Sequence, residues 1–591
     1  MKIMSFIRRH AAALALLSIL MAAAAAPYMI PADPDSAVFR SGALPLILLF
    51  GCYAPLRDAY AQDDRRALTV SLVFGFLFAL ALSLGSELFV YDGLIKGLGS
   101  LVRRAAVPVM AAPLFGGLCL HLAARQGASP GMRRQLPARW FALVIFLCWT
   151  PLLAAYFPGM LNYDFPGQFA QHTSGQYTNL HPLLHSALCN GVIALGEAIH
   201  SRTLGVMMMS LLQMALFALA LGGSCSFAAR RGAPRWALAL LTGFYALHPV
   251  FSAMALSMTK DTLFAAAVLT LSLDTYEIID DPAGLTKGRA ARFILCTAGT
   301  ALLRGNGIFA LAFLFPALIA VSRGARRRTA CLCALGAAAA ALTLGLLTLA
   351  LRPASMPSFQ LYSLPAQQLV RAYNTGDMTP EERAELESWY TSPAGLALHP
   401  HLADPAKGYL DHKRLEQEGD QLLDLWQRVG KKNPHAYAEA LLMLNVGSWY
   451  ADDLSHSTIY PDVSWNDKGY LQTQEYDMSA EGINASCFLP AVREWFERIC
   501  RRNEHQKYPI AAVLFNTAVP FWGLMLACAI AVVKRRAYCL PAALGAFGLW
   551  LSYLLGPCTL PRYALPLFCL APVLLLTLLF APRRDADETH P

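Results

Sequence analysis

Residues 65–90 read RRALTVSLVFGFLFALALSLGSELFV: two arginines, then an apolar run from Leu68 to Val90. Crossing the hydrocarbon core of a bilayer takes about 20 apolar residues, so this run predicts a transmembrane helix with basic residues at its start. The same unit recurs along the chain. The candidate spans, fourteen in all, are Ala11–Ile30, Ala43–Leu56, Leu68–Val90, Ala105–Ala123, Trp140–Phe157, Thr203–Phe227, Trp236–Phe251, Met258–Leu273, Phe293–Leu303, Ile308–Val321, Ala330–Leu351, Ile510–Val533, Leu540–Leu555 and Leu565–Phe580. Several are short, which sets the expectation at about 12–14 transmembrane helices in an all-α polytopic membrane protein. Leu183–Ile199 carries His185, Asn190 and Glu197, which suits a helix lying along or dipping into the interface.

Composition agrees. Of 591 residues, 56% are hydrophobic and 15% charged, and the mean hydropathy is +0.42. A soluble domain carries about 25% charged residues, so this chain cannot cover a wholly aqueous surface. Lys2, Arg8 and Arg9 before an apolar run resemble a signal peptide, but Ala11–Ile30 is long enough to remain as a first helix. The net charge of +9 lies in short clusters between apolar runs, the pattern of orientation signals rather than of nucleic-acid binding. The fourteen cysteines form no zinc-like spacing. Cys331 and Cys333 read as helix filler, and Cys487 and Cys500 are a disulfide candidate if their segment faces an oxidising compartment.

With a cytoplasmic N-terminus, the inside loops collect Arg65 and Arg66, Arg125 to Arg139, Arg230 to Arg235, Lys287 to Arg292, Arg323 to Arg328, Lys534 to Arg536, and Arg583 and Arg584. The outside connections hold few basic residues beyond Lys96, Arg103 and Arg104. The positive-inside rule therefore predicts a multi-pass cell-membrane protein with both termini cytoplasmic. Residues 158–181 form an outward loop. Residues 352–508 form a largely helical extracytoplasmic domain with Trp389, Trp426, Trp449, Trp465 and Trp495, and with a Thr379-Pro380 helix start. The remaining units are N-terminal helices (1–138), a central module (139–351), and C-terminal helices with a cytoplasmic tail (509–591).

Four polar stretches then face one leaflet surface. The first runs from Tyr156 through Asp164 and Gln168 to His181-Pro-Leu-Leu-His185. A carboxylate at a membrane surface, shielded from water, has its pKa raised towards that of a general base. Asp164 equally suits hydrogen bonding to its own loop amides. Second is Lys260-Asp261-Thr262, which suits either a cation near a phosphate or a snorkelling lysine beside an N-terminal helix cap. Third is Arg304-Gly305-Asn306-Gly307, an arginine where the chain turns back between apolar runs. Fourth is Pro561-Arg562-Tyr563. Lys260, Arg304 and Arg562 together suit an anionic lipid head group. His172, His181 and His185 beside Asp164 leave a divalent metal open, although Pro182 starts the helix and no second acid is near.

These motifs, in this order, resemble the GT-C superfamily of membrane glycosyltransferases, which take a sugar from a polyprenyl-phosphate carrier at the extracytoplasmic face. The resemblance covers about Trp140 to Phe580 and extends to Leu364-Pro-Ala-Gln367-Gln368-Leu-Val-Arg371 in a little-characterised bacterial branch. It makes the first four spans an added piece. It implies a GT-C-like fold, Asp164 as base or metal holder, and Lys260, Asp261, Arg304, Arg562, His181, His185, Gln368 and Arg371 as donor-phosphate or substrate contacts. Tyr163 and Phe165 stand where many members place a paired acid, so no metal is assigned. The implied partners are a polyprenyl-phosphate-linked hexose or pentose, membrane lipid, and a glycan, lipid or protein acceptor of the cell envelope; no nucleic acid is implied. The implied reaction is an inverting transfer. A transporter or flippase of a lipid-linked intermediate is the alternative, and it lacks visible repeats or charges at mid-depth. A glycan-binding scaffold is the third reading.

Overall fold

The computed structural model describes residues 2–29, 44–125, 135–161, 164–282, 284–451, 478–502, 504 and 513–580. Trp465, Tyr163, Arg583 and Arg584 lie outside the described residues, as does the Cys500 side chain. Among the described residues the regular structure is helical, with only isolated bridges between extended segments.

Among the described residues eight helices are long and apolar enough to cross a membrane, or nine if one bent pair is counted as a span, which makes this a multi-pass membrane protein. The N-terminal three are α1 (Ala11–Ala25), whose span continues in a 3-10 turn to Tyr28, α2 (Arg65–Tyr91) and α3 (Leu98–Ala124). Next come α4 (Ala138–Ala155), a short α5 (Phe165–Ser174), α6 (Leu183–Ala198) and α7 (Arg202–Arg230). The pair α8 (Arg235–Leu247) and α9 (Pro249–Leu256) is bent by 48°. Its cause is local: Pro249 has no N–H to donate and drives His248 to an extended ψ of 121°. Then follow α10 (Lys260–Asp280), α11 (Lys287–Leu303), α12 (Gly307–Val321) and α13 (Arg326–Leu351). The chain ends in α18 (Ala518–Val533), α19 (Leu540–Tyr553) and α20 (Pro561–Phe580), reached through a helical lobe.

The expected number of spans is revised downward. Ala43–Leu56 is not one helix but parts of two eight-residue pieces, Leu44–Gly51 and Tyr53–Tyr60. Helices α6, α12, α18 and α19 are apolar but have at most 17 residues. At 1.5 Å per residue they fall short of a full crossing.

Burial identifies the centre of the bundle. The apolar windows of α10 and α20 are 78% and 67% buried, whereas that of α13 is 22% buried. Surface inside the bundle is removed from lipid by packing against α4, α7, α9 and α18, around Trp149, Phe217, Tyr245 and Phe251. Cys333 is buried on α13, but Cys331 on the same helix is exposed, so only one of the two is filler.

The lobe consists of α14 (Ser363–Thr375), α15 (Pro380–Glu387), α16 (His412–Lys432) and α17 (Pro434–Leu444) around Leu369, Trp389, Leu422 and Leu425. Helix α15 starts with a capping box: the Thr379 hydroxyl accepts from the Glu382 N–H at 3.3 Å, and the Glu382 carboxylate accepts from the Thr379 N–H at 3.0 Å. The lobe docks on the bundle through Trp522 Nε1, which donates to the Trp449 carbonyl at 2.7 Å, and through Ala403 N–H, which donates to the Pro557 carbonyl at 2.8 Å.

Candidate active site

Five ionic side chains from four separate stretches meet at one end of the bundle. Asp164 Oδ2 accepts from Lys260 Nζ at 2.9 Å and from Arg562 Nη1 at 3.1 Å. Asp261 accepts from Arg304 Nη1, and its Oδ2 lies 3.9 Å from Arg562 Nη1. Arg562 therefore bridges the two carboxylates. All five side chains are largely buried, with Asp261 at 0% and Arg562 at 6% exposure.

Local structure explains how they meet. After α4 the chain runs extended and pairs with residue 257: Met160 N–H donates to the Leu256 carbonyl and Met258 N–H to the Met160 carbonyl, at 3.0 and 2.8 Å. Helix α7 holds both segments. Ser210 Oγ donates to the Pro158 carbonyl at 2.9 Å, and Gln213 Nε2 reaches the carbonyls of Met254, Ala255 and Ser257 at 2.6–3.2 Å. The pairing sets Asp164 opposite the start of α10, where Lys260 and Asp261 stand. Asp261 is not the expected N-terminal cap; its carboxylate takes the Thr259 hydroxyl at 2.7 Å and the Arg304 guanidinium instead. Lys260 does not snorkel but turns inward to Asp164.

Arg304 ends α11 in an extended conformation, and α12 restarts after two residues. Gly307 is required there, because a Cβ would lie 1.7 Å from the Thr300 carbonyl oxygen. Arg562 is the second residue of α20, behind Pro561 at the start of the helix. Both guanidiniums lie over the Tyr563 ring, with Arg304 Cζ 4.4 Å and Arg562 Cζ 5.2 Å from its centroid. Such cation–π contacts offset part of the repulsion between like charges.

With Lys260, Arg304 and Arg562 against Asp164 and Asp261, the cluster has one cation in excess. Burial alone would raise the Asp164 pKa, but the Lys260 and Arg562 charges overcome it and hold the carboxyl well below its usual range. This corrects the expectation of a raised pKa: the sequence places no cation beside Asp164, whereas the fold places two. Burial lowers the His181 pKa to about 4, helped by the charge of Lys260 and opposed by that of Asp164. A neutral imidazole and fully ionised carboxylates follow at pH 7.

Around this cluster lie buried polar atoms with no hydrogen-bond partner among the described residues: Gln168 Nε2 and Oε1, His181 Nδ1, and both ring nitrogens of His185. Buried polar groups are normally satisfied, so this concentration sets the region apart from the apolar core around it. An apolar lateral groove of about 570 Å³ begins beside it at Leu184, Leu263 and Leu303 and runs along α7, α10 and α11 as far as Arg292.

His181 and His185 do not share a helical face, because α6 starts at Leu183. His172 pairs with Glu197 at 3.1 Å. Among the described residues no three His, Cys, Asp or Glu side chains form a group able to hold a metal, so the triad open in the sequence is not assembled. Gln368 and Arg371 bond elsewhere: Gln368 accepts from Trp426 Nε1 at 2.9 Å within the lobe, and Arg371 pairs with Glu439 at 3.1 Å and donates to the Asp92 carbonyl after α2. Sequence reasoning missed Ser210, Gln213 and Thr259; a serine and a glutamine three apart inside an apolar run were the available signal.

Among the described residues, a helical bundle with a buried, cation-rich cluster at one end defines a multi-pass membrane protein. The chain belongs to DUF6020, a family of unknown function, whose model matches residues 169–591. The match takes in His181, His185, Lys260, Asp261, Arg304 and Arg562, and begins just after Asp164. No curated protein and no solved structure matches the chain.

Proposed function

We propose that this protein is a GT-C-type glycosyltransferase that moves a sugar from a polyprenyl-phosphate carrier to an extracytoplasmic acceptor. One observation carries the reading: Asp164, Lys260, Asp261, Arg304 and Arg562, spread over some 400 residues, converge in one buried, net-cationic cluster, and Leu263 and Leu303, their close neighbours in the chain, line an apolar groove. The groove suits the isoprenoid chain, and the surplus cation suits its phosphate. Arginines Arg230, Arg231, Arg292 and Arg328 gather at the opposite end of the bundle, which supports a cytoplasmic position for that end and for both termini.

In this reading the resting ion pairs are a latch. Asp164 is a poor base while Lys260 and Arg562 hold it. An incoming phosphate competes for those cations, and as they turn towards it the Asp164 pKa rises. The acceptor oxygen then attacks the anomeric carbon and its proton passes to Asp164. The bond from that carbon to the phosphate oxygen breaks on the opposite face, which inverts the configuration. The lipid phosphate leaves with the bonding electrons, and Lys260, Arg304 and Arg562 neutralise its charge. General-base catalysis contributes about 10²–10⁴-fold, so Asp164→Asn should abolish measurable transfer while insertion and folding persist. Proteoliposomes supplied with labelled polyprenyl-phosphate hexose and pentose test this. Full activity in Asp164→Asn overturns the role of Asp164, and carrier translocation without transfer favours a flippase.

A further inference from the structure

The helix Pro490–Arg502 contributes nothing to the Asp164 cluster, yet it is docked on the bundle where α4 ends. One face packs inward: Phe496 is fully buried, and Val492 and Ile499, about a turn to either side, close on the same core. The Phe496 ring meets the Tyr156 ring edge-on at 5.7 Å. Arg493 pairs with Glu497 at 3.0 Å, and its Cζ lies 5.2 Å from the centre of the Tyr156 ring. Ahead of the helix the backbone is tied to the same exit. Phe488 N–H donates to the Ala154 carbonyl in the last turn of α4, and Ser486 N–H to the Phe157 carbonyl, both at 2.9 Å.

These bonds fix the level of the segment in the membrane. The exposed stripe of α4 runs through Trp140, Leu143, Val144, Leu147 and Pro151 to the half-buried Ala154, the i, i+3, i+4 spacing of one helical face. On a membrane-crossing helix an apolar stripe left uncovered by the bundle faces lipid. Ala154 stands fourteen residues beyond Trp140, about 21 Å along the axis, against about 30 Å for the hydrocarbon core. With Trp140 in one interfacial belt, the bond between Phe488 and Ala154 lies no farther out than the other belt. The side chains displayed at that level are large and apolar: Phe488 is 64% exposed, Leu489 40% and Trp495 44%. Helical geometry puts Ala491 and Trp495 on the edge between the packed face and the exposed Glu494 and Arg498. That order of faces belongs to a helix lying in the interface plane, with apolar groups sunk about 5–10 Å and charges turned to water.

We infer that the stretch from Ser486 to Arg498 is seated in the headgroup layer of the leaflet at the Asp164 end of the bundle, with phospholipid covering Phe488, Leu489 and Trp495. This apolar surface continues the lipid-facing stripe of α4, which is why its occupant is lipid rather than a protein chain. The seated stretch also braces the frame of the Asp164 cluster. Asn484 N–H donates to Thr203 Oγ1 at 2.9 Å, and Arg202 at the start of α7 donates to the Glu481 carbonyl at 3.0 Å. Ser486 holds the extended segment that leads from α4 towards Asp164. The inference stands apart from the transferase reading, because it needs no reaction at Asp164.

The test uses the full chain in phosphatidylcholine nanodiscs doped with a phosphatidylcholine that carries a photoactivatable diazirine near the headgroup end of one acyl chain. After irradiation and digestion, mass spectrometry locates the carbene adducts. Adducts should appear on Phe488, Leu489 or Trp495 as they do on Trp140. They should be absent from α16, whose Asp424 and Arg428 form a water-exposed pair. Phe488→Ser combined with Trp495→Ser removes the apolar contact at two exposed positions. Adducts on Leu489 and Ala491, which the double variant leaves in place, should then be lost, while those on Trp140 remain and show that the protein is still inserted. Three results overturn the proposal: wild-type protein labelled on Trp140 but not on the stretch, labelling of α16 equal to that of the stretch, or undiminished labelling of Leu489 and Ala491 in the double variant.

Discussion

The two ends of the bundle use the same residue types to different effect. At one end Arg230 pairs with Glu277 at 2.6 Å, Arg292 reaches Asp274 and Glu277, and Arg231 meets Asp280. Arg230 and Arg292 are 43% and 48% exposed there, so water reaches the cation of each pair although Glu277 and Asp274 are 14% and 3% exposed. At the other end Arg562 and Asp261 are 6% and 0% exposed and share their partners. Exposed pairs contribute about 0–1 kcal/mol, because water screens them. Buried clusters cost several kcal/mol of desolvation per ion, recovered only through close pairing. The first end therefore reads as orientation and anchoring. The second keeps an arrangement whose desolvation cost stability alone does not justify, which is why we propose it as the site.

The largest effect that would separate the two ends comes from Arg562. Arg562→Ala leaves two buried carboxylates short of a partner, and should lower stability by about 3–5 kcal/mol and abolish transfer. Arg230→Ala should cost less than about 1 kcal/mol, because Glu277 is also within reach of Arg292 and Arg289. Unfolding in detergent reads both, and equal losses would remove the distinction.

Next is the coupling inside the buried cluster. Asp261→Asn and Arg304→Gln should each destabilise by a few kcal/mol, and together by less than their sum. A double-mutant cycle of melting curves gives the coupling energy; additivity within about 0.5 kcal/mol would dissolve the cluster as a unit.

A smaller effect is acid sensitivity. His181 is held neutral, with its pKa near 4 against a usual 6.5. Between those values the unfolded chain binds more protons, so stability falls as pH drops from about 6.5 to 4. The Asp164 contribution is lost only later, below the usual carboxylate value of 3.8. His181→Asn should flatten the first part of the melting-temperature profile, and an unchanged profile would show that His181 titrates freely.

The smallest effect belongs to His172, which pairs with the partly exposed Glu197. His172→Gln should leave transfer within about twofold and stability within about 1 kcal/mol. A large loss of transfer would reopen the metal triad.

The sequence by itself determined that the chain lives in a membrane, and it picked out Asp164, Lys260, Asp261, Arg304 and Arg562. Each is a charged group bordering an apolar run, and the transfer cost of charge makes such positions conspicuous without any fold. It also reached the Thr379 helix cap, because capping is local, while the reciprocal bond from Glu382 came from the structure. It did not decide which groups touch. Gln368 and Arg371 looked like companions of the site but bond away from it, Gln368 inside the lobe and Arg371 to Glu439 and Asp92, and Ser210 and Gln213 looked like ordinary span residues but hold the backbone beside the cluster. The direction of the Asp164 pKa shift was read wrongly for the same reason. Burial is legible near a hydrophobic run, whereas the cations that reverse its effect come from residues 96 and 398 positions away. Local physics is written along the chain; electrostatics falls off with distance in space, and only the tertiary structure sets that distance.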